Sequence, residues 1–177
     1  IPTNPVISTE LQDAVYRLAR HAGTLTEDWY LTMRDATGVT PQQWVEVIEV
    51  AMSVASVLRF AQLAGLERPE FPAALNGEPS RQDQPSKPAK HHWVPVVHLE
   101  DMTPELAPFY EGLPAVAPVI RALSSVPAAM DTLATLSSAQ YIPTREMVDL
   151  NWSRGTLSRR QIEFVAGRLS ALRECFY

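Results

Sequence analysis

The chain has 177 residues, of which 46% are hydrophobic and 20% charged, with a formal net charge of −5. That composition describes a folded chain rather than a disordered one, with enough length for one large domain or two small ones. Lys and Arg are scattered without a basic cluster, which argues against nucleic acid as a partner, and the longest apolar stretch, 44–66, is interrupted by Glu46, Glu49 and Arg59, so no membrane span is expected.

Helix signals dominate. Thr9 and Gln12 form the pattern of a capping box, and Leu11, Val15, Leu18 and Ala19 follow at helical spacing, predicting a helix to about His21 with Gly23 as its stop. A short helix is expected from Glu27 to Ala36, capped by Thr26 and ended by Gly38. Thr40-Pro41-Gln42-Gln43 is the sharpest start signal in the chain: a capping threonine, a proline where no donor is needed, and a glutamine that reaches back. The helix it opens runs to Gly65, and apolar residues over most of its girth predict burial on several sides.

The character changes between 67 and 95. Pro69, Pro72, Pro79, Pro85, Pro88 and Pro95 fall there among Gly, Ser, Gln and Asp, which reads as an exposed, semi-extended linker between helical halves 1–66 and 96–177. The one alternating run, Val94-Pro95-Val96-Val97, is weakened as a strand by its proline. In the second half Thr103-Pro104, Pro114, Pro118 and Pro127 punctuate short helices, roughly 104–111, 115–124 and 127–139. Thr144 is expected to cap another that ends before Gly155. Ser158 with Gln161 then opens a last helix carrying Ile162, Val165, Ala166, Leu169 and Leu172 toward Cys175. A shift of 117 superposes Gly38 on Gly155 and Glu46 on Glu163, with Leu58 in the place of Cys175; the match reads either as one helical unit used in both halves or as what any two capped apolar helices would give.

Cys175 is the only cysteine, so no internal disulfide is available, and a reducing cytoplasm is the expected setting. Residues 1–20 lack the basic start and apolar core of a signal peptide, and Ile1 opens the chain, so a processed, trimmed or partial product is expected. A lone cysteine on an apolar helix is ordinarily an inert core residue, and a lone glutamate early in a helix is ordinarily solvated. A thiol reacts with peroxide only as thiolate and needs a group that takes or relays its proton. Glu163 and Cys175 are the candidate pair. On one unbroken helix, twelve residues separate them by roughly 18 Å and about 120°. Cooperation therefore requires a break, and Arg173-Glu174 is the expected place.

The segment Leu157-Ser158-Arg159-Arg160-Gln161-Ile162-Glu163 through Leu169-Ser170-Ala171-Leu172-Arg173-Glu174-Cys175-Phe176-Tyr177, with His98-Leu99-Glu100, Thr103-Pro104-Glu105 and Phe109-Tyr110-Glu111, resembles the first half of a carboxymuconolactone decarboxylase-like, or alkylhydroperoxidase D-like, domain of the peroxidase-related type. Residues 11–66 resemble the half that normally follows, through Leu11–Arg20, Leu25-Thr26-Glu27-Asp28, Gly38-Val39-Thr40 with Gln43, and Arg59-Phe60-Ala61. The family motif is Glu-x11-Cys-x2-Cys-x3-His. Glu163 and Cys175 match its first two members, and the second Cys and the His would fall past Tyr177. The halves thus stand in reverse order, as in an internal piece of a tandem protein or one product of a break at the motif.

The resemblance implies an all-α fold of the alkylhydroperoxidase D type and a thiol-based enzyme that reduces alkyl hydroperoxides. It implies no metal and no flavin, re-reduction by a dithiol protein, and a homo-oligomer or complementary fragment. Glu163 would be the proton-relay carboxylate and Cys175 the resolving thiol of the pair. A lactone decarboxylase-type lyase on the same fold and a non-catalytic helical assembly module are the alternatives. His91-His92, with His98 nearby, lacks carboxylates at ligand spacing and is not read as a metal site. Trp29, Tyr30, Trp44, Trp93 and Trp152 read as core or interface anchors.

Overall fold

The computed structural model describes residues 7–73, 83–111, 113 and 116–175. The linker stretch 74–82, Pro114, Phe176 and Tyr177 lie outside the described residues. The protein is mostly helical, and the described residues include two small two-stranded sheets that the all-α reading does not contain.

Three helices build the first half: α1 (Thr9–Arg20), α2 (Glu27–Thr37) and α3 (Pro41–Leu63). The cap of α1 falls one residue earlier than its sequence suggests. Ser8 Oγ accepts from the Leu11 amide, and the Gln12 side chain donates to the Ile7 carbonyl instead of closing a box on Thr9. Serine and threonine compete for the same amide, so adjacent hydroxyls leave the register open by one. Thr26 caps α2, and Gly38 ends it in the left-handed conformation, φ 65°. At α3 both halves of the Thr40–Gln43 box are made.

The core starts at α3. Trp44 is fully buried, with Trp29 and Tyr30 of α2 packed edge-on against its indole at 6.2 and 5.8 Å. Only Trp44, Val45, Ala51 and Ala61 of α3 are buried, whereas Val50, Phe60 and Leu63 are exposed, so the expected all-round burial is not met within this chain.

Part of the expected linker is a hairpin. β1 (Lys87–Ala89) pairs antiparallel with β2 (His92–Val96), which packs on α3 and buries Val94 and Val96, with Val97 buried just past its end. Pro88 and Pro95 are tolerated because each strand has a single neighbour, so a missing amide costs no second ladder. The Val97 amide donates to buried Ser124 Oγ at 2.9 Å, and Lys87 reaches Asp101 at 2.6 Å. Two of the histidines brace this hairpin: the His92 ring bonds the Pro118 carbonyl at 2.9 Å and the His98 ring that of Pro88 at 3.2 Å.

The second half is more broken than its cap signals suggest. α4 (Ala107–Tyr110) and α5 (Pro118–Arg121) are single turns, and α6 (Pro127–Gln140) is the first full helix. After it the expected helix at Thr144 is one 3₁₀ turn, followed by strands β3 (Ser153–Arg154) and β4 (Leu157–Ser158) about Gly155, φ 56°. α7 (Arg159–Leu172) then opens on a complete Ser158–Gln161 box. One core cluster joins the two halves: Ala14, Tyr30, Trp44 and Val45 pack with Leu106, Tyr110, Leu123 and Met130.

Gly23 does more than end α1. A β-carbon there would stand 2.6 Å from the Arg173 carbonyl oxygen, a backbone atom just past the end of α7. Gly23→Ala is therefore expected to destabilise the protein by about 1–3 kcal/mol, despite alanine's better helix propensity, because backbone must move. The check is a urea midpoint combined with amide exchange at 173–175, which should quicken.

Candidate functional site

The carboxylate and the thiol of the candidate pair occupy opposite ends of α7. Glu163 sits just past the first turn. Its Oε1 accepts from Arg159 Nε at 2.7 Å, one helical turn back, and its Oε2 accepts from the Tyr141 hydroxyl at 2.6 Å. Both oxygens are thus engaged. The Tyr141 hydrogen bond first, and Arg159 after it, hold the carboxyl below its usual range against a partial desolvation that opposes them. Burial, reinforced by the Glu163 carboxylate that the phenol donates to, pushes Tyr141 up to about 12.

Arg159 is the hub. Its side chain is about one-tenth exposed, and besides Glu163 it donates to the carbonyls of Glu146, Met147 and Asp149 at 3.0–3.1 Å. The planar fork suits several fixed acceptors at once. Arg154 works in parallel. It lies over the Trp152 ring, with its guanidinium carbon 5.3 Å from the ring centroid, and donates to the carbonyls of Ser138 and Tyr141. The two arginines tie the irregular run 141–154 between α6 and α7.

The far end of α7 breaks at Arg173-Glu174. Glu174 takes φ 52°, in the left-handed region, its amide donates to the Ala171 carbonyl, and the Cys175 amide donates to that of Ser170 at 3.0 Å. That pair of bonds is a Schellman stop, here built on glutamate instead of glycine. The helix is continuous from Glu163 to Leu172, about 14 Å of axial rise. The bend is where the sequence suggested, but it follows the straight segment instead of dividing it, so it does not bring Glu163 to the sulfur. Cys175 is exposed.

Arg159 and Tyr141 are the members of this cluster that sequence reasoning passed over. Arg159 beside Arg160 reads as solvated charge. The usable signal was its i, i+4 spacing to Glu163, directly after a cap. Nothing in the text around Tyr141 marks its reach across 22 residues.

Among the described residues no group of three or more His, Cys, Asp or Glu could hold a metal ion, and no helix is long and apolar enough to cross a membrane. The echo of α3 in α7 persists locally, with two complete capping boxes after two left-handed glycines, but not in packing. α3 lies at the core, whereas α7 buries only Arg159 and exposes Phe164, Val165, Leu169 and Leu172. No family model, curated protein or solved structure matches this chain.

Proposed function

We propose that the protein belongs to a thiol-dependent, alkyl hydroperoxide-reducing system of the alkylhydroperoxidase D-like helical type, with Cys175 as its redox thiol. The observation that supports this reading best is the exposed sulfur placed just past a helix stop, where a peroxide can reach it. The thiolate attacks one peroxide oxygen, the O–O bond breaks, the departing alkoxide takes a proton and leaves as alcohol, and sulfur keeps the other oxygen as a sulfenic acid. A dithiol protein then attacks that sulfur, releases water and ends as a disulfide, returning Cys175 to the thiol. In a complete motif a second cysteine would serve as attacker and Cys175 would resolve it. Within this chain Glu163 serves the fold through Arg159 and Tyr141, and a proton relay to Cys175 would need groups from a second copy or a complementary segment.

The test is exposure to cumene hydroperoxide with dithiothreitol as reductant. The expected result is a one-oxygen adduct at Cys175 that dithiothreitol reverses, peroxide consumption faster than that of N-acetylcysteine at equal thiol, and loss of both in Cys175→Ser. Consumption no faster than the free thiol, or equal in the two proteins, overturns the reading.

One observation favours a second reading, a non-catalytic helical assembly module: the apolar residues of α7, Phe164, Val165, Leu169 and Leu172, are half to three-quarters exposed. A decarboxylase-type lyase draws less support, because the carboxylate such acid–base chemistry would use is already held by two partners.

A further inference from the structure

An open groove of about 600 Å³ runs between α1 and the C-terminal half of α3, and no residue of α7 lines it. Its volume is in the range of small-molecule sites. The floor is apolar: Val15 from α1 meets Val54 and Leu58 from α3, with Leu66 at one end. The polar groups at its margin carry one sign of charge. Arg20, Arg59 and Arg68 line the groove, and no carboxylate does, in a chain whose net charge is −5. Arg68 lies over the Phe71 ring and Arg59 donates to Gln62, so both keep donors to spare, and Arg20 has no partner among the described residues. The nearest acids in sequence, Glu67 and Glu70, flank Arg68 outside the lining.

The α7 helix of a second copy would fit that surface poorly. The exposed apolar face of α7 carries Arg168 between Phe164 and Leu172, and like charge would meet like. Three guanidinium groups around an alkyl-lined channel instead match an anionic head on a hydrocarbon tail. The tail removes the exposed Val, Leu and Ala surface from water, and the head takes charge-assisted hydrogen bonds from planar donors.

We infer that the α1–α3 groove binds a single-chain anionic amphiphile, a long-chain carboxylate or its sulfate or phosphate equivalent. The site is independent of Cys175, so the inference stands or falls apart from the peroxide reading.

The test is titration calorimetry on the whole chain with dodecanoate below its micellar concentration. Dodecyl phosphate is run in parallel to separate the two head groups. Dodecanol supplies the tail without the charge, and acetate the charge without the tail. Dodecanoate or dodecyl phosphate is expected to bind with one site per chain, and acetate not at all. Arg20→Gln/Arg59→Gln/Arg68→Gln is expected to weaken the anion at least tenfold while leaving dodecanol unchanged, and Leu58→Asp to abolish binding of either. Cys175→Ser should bind as the parent does. Because the substituted side chains are exposed or half-buried, circular dichroism should show all variants folded, and Leu58→Asn replaces Leu58→Asp where it does not. Three outcomes overturn the proposal. One is equal affinity for dodecanoate and dodecanol. Another is binding to phosphatidylglycerol vesicles without binding to monomeric amphiphile. The third is a concentration-dependent dimer in sedimentation that Leu58→Asp abolishes.

Discussion

Trp44→Ala is expected to lower stability by about 3–5 kcal/mol, enough to unfold a substantial fraction of a domain whose whole margin is about 5–15 kcal/mol. The indole is fully buried where α2, α3 and β2 meet, and two other aromatic rings pack edge-on against it. Truncation removes the largest side chain of the core and leaves a cavity that three separate elements would have to shift to fill. The indole nitrogen is buried without an acceptor among the described residues, so the side chain contributes through area and ring packing. Trp44→Phe is accordingly expected to keep most of the stability, with a loss of about 1–2 kcal/mol. Urea unfolding followed by far-ultraviolet circular dichroism checks both, and equal losses for Phe and Ala would show that the site depends on something other than filled volume.

What the sequence could show was local. Thr40-Pro41-Gln42-Gln43 and Ser158 with Gln161 announce α3 and α7 because a capping box is complete within four residues, and the structure makes every bond of both. Gly38 is recognisable for the same reason, ending α2 in the left-handed conformation, whereas Gly155, expected to follow a helix, takes its left-handed turn between β3 and β4. The β1–β2 hairpin was hidden because its ladder is interrupted by Pro88 and Pro95 and its turn, Lys90-His91, carries neither Gly nor Asn. What holds it is remote, the α3 surface and Ser124 Oγ 27 residues downstream of Val97. At Gly23 the text reads as a helix stop, while the constraint that excludes a side chain comes from Arg173, 150 residues away.

The candidate site divides along the same line. The stop at Arg173-Glu174 could be anticipated from the demands of the chemistry, and the backbone does turn there. The partners of Glu163 could not, because the hydroxyl that engages it comes from the far side of an irregular loop. A carboxylate at the right spacing from a thiol was therefore visible in the sequence, whereas its occupation by structural partners was not.

Arg159→Leu is the second large effect, about 2–4 kcal/mol of lost stability. The guanidinium is the shared donor for three carbonyls of the 146–149 turn and for Glu163. Without it the carbonyls lose a charged partner, and the carboxylate keeps only Tyr141. Glu163 is itself about two-fifths exposed, so its ion pair contributes a small part of the total, and most of the effect belongs to the turn. Arg159→Lys is expected to recover less than half, since an ammonium cannot span acceptors placed for a planar fork. Amide exchange should rise across 144–152 in both variants while the Trp44 core stays protected.

The pH dependence separates the ion pair from the turn. The folded carboxyl of Glu163 is held below its unfolded value, so its contribution is complete above the usual carboxylate range and is lost as pH falls through the depressed folded value. Tyr141 has the opposite sign: its raised pKa gives a contribution that is complete below about 10 and lost as pH rises toward about 12. In Arg159→Leu the Glu163 carboxyl should titrate nearer its ordinary range, and the acid limb of stability should be shallower than in the parent. Glu163→Gln keeps an acceptor for Tyr141 and removes the charge. It should flatten the acid limb by a similar amount while costing about 1 kcal/mol at neutral pH. An acid limb identical in all three proteins would mean that Glu163 is not held by Arg159 and Tyr141 in solution, and would return its carboxylate to the pool of groups available for chemistry.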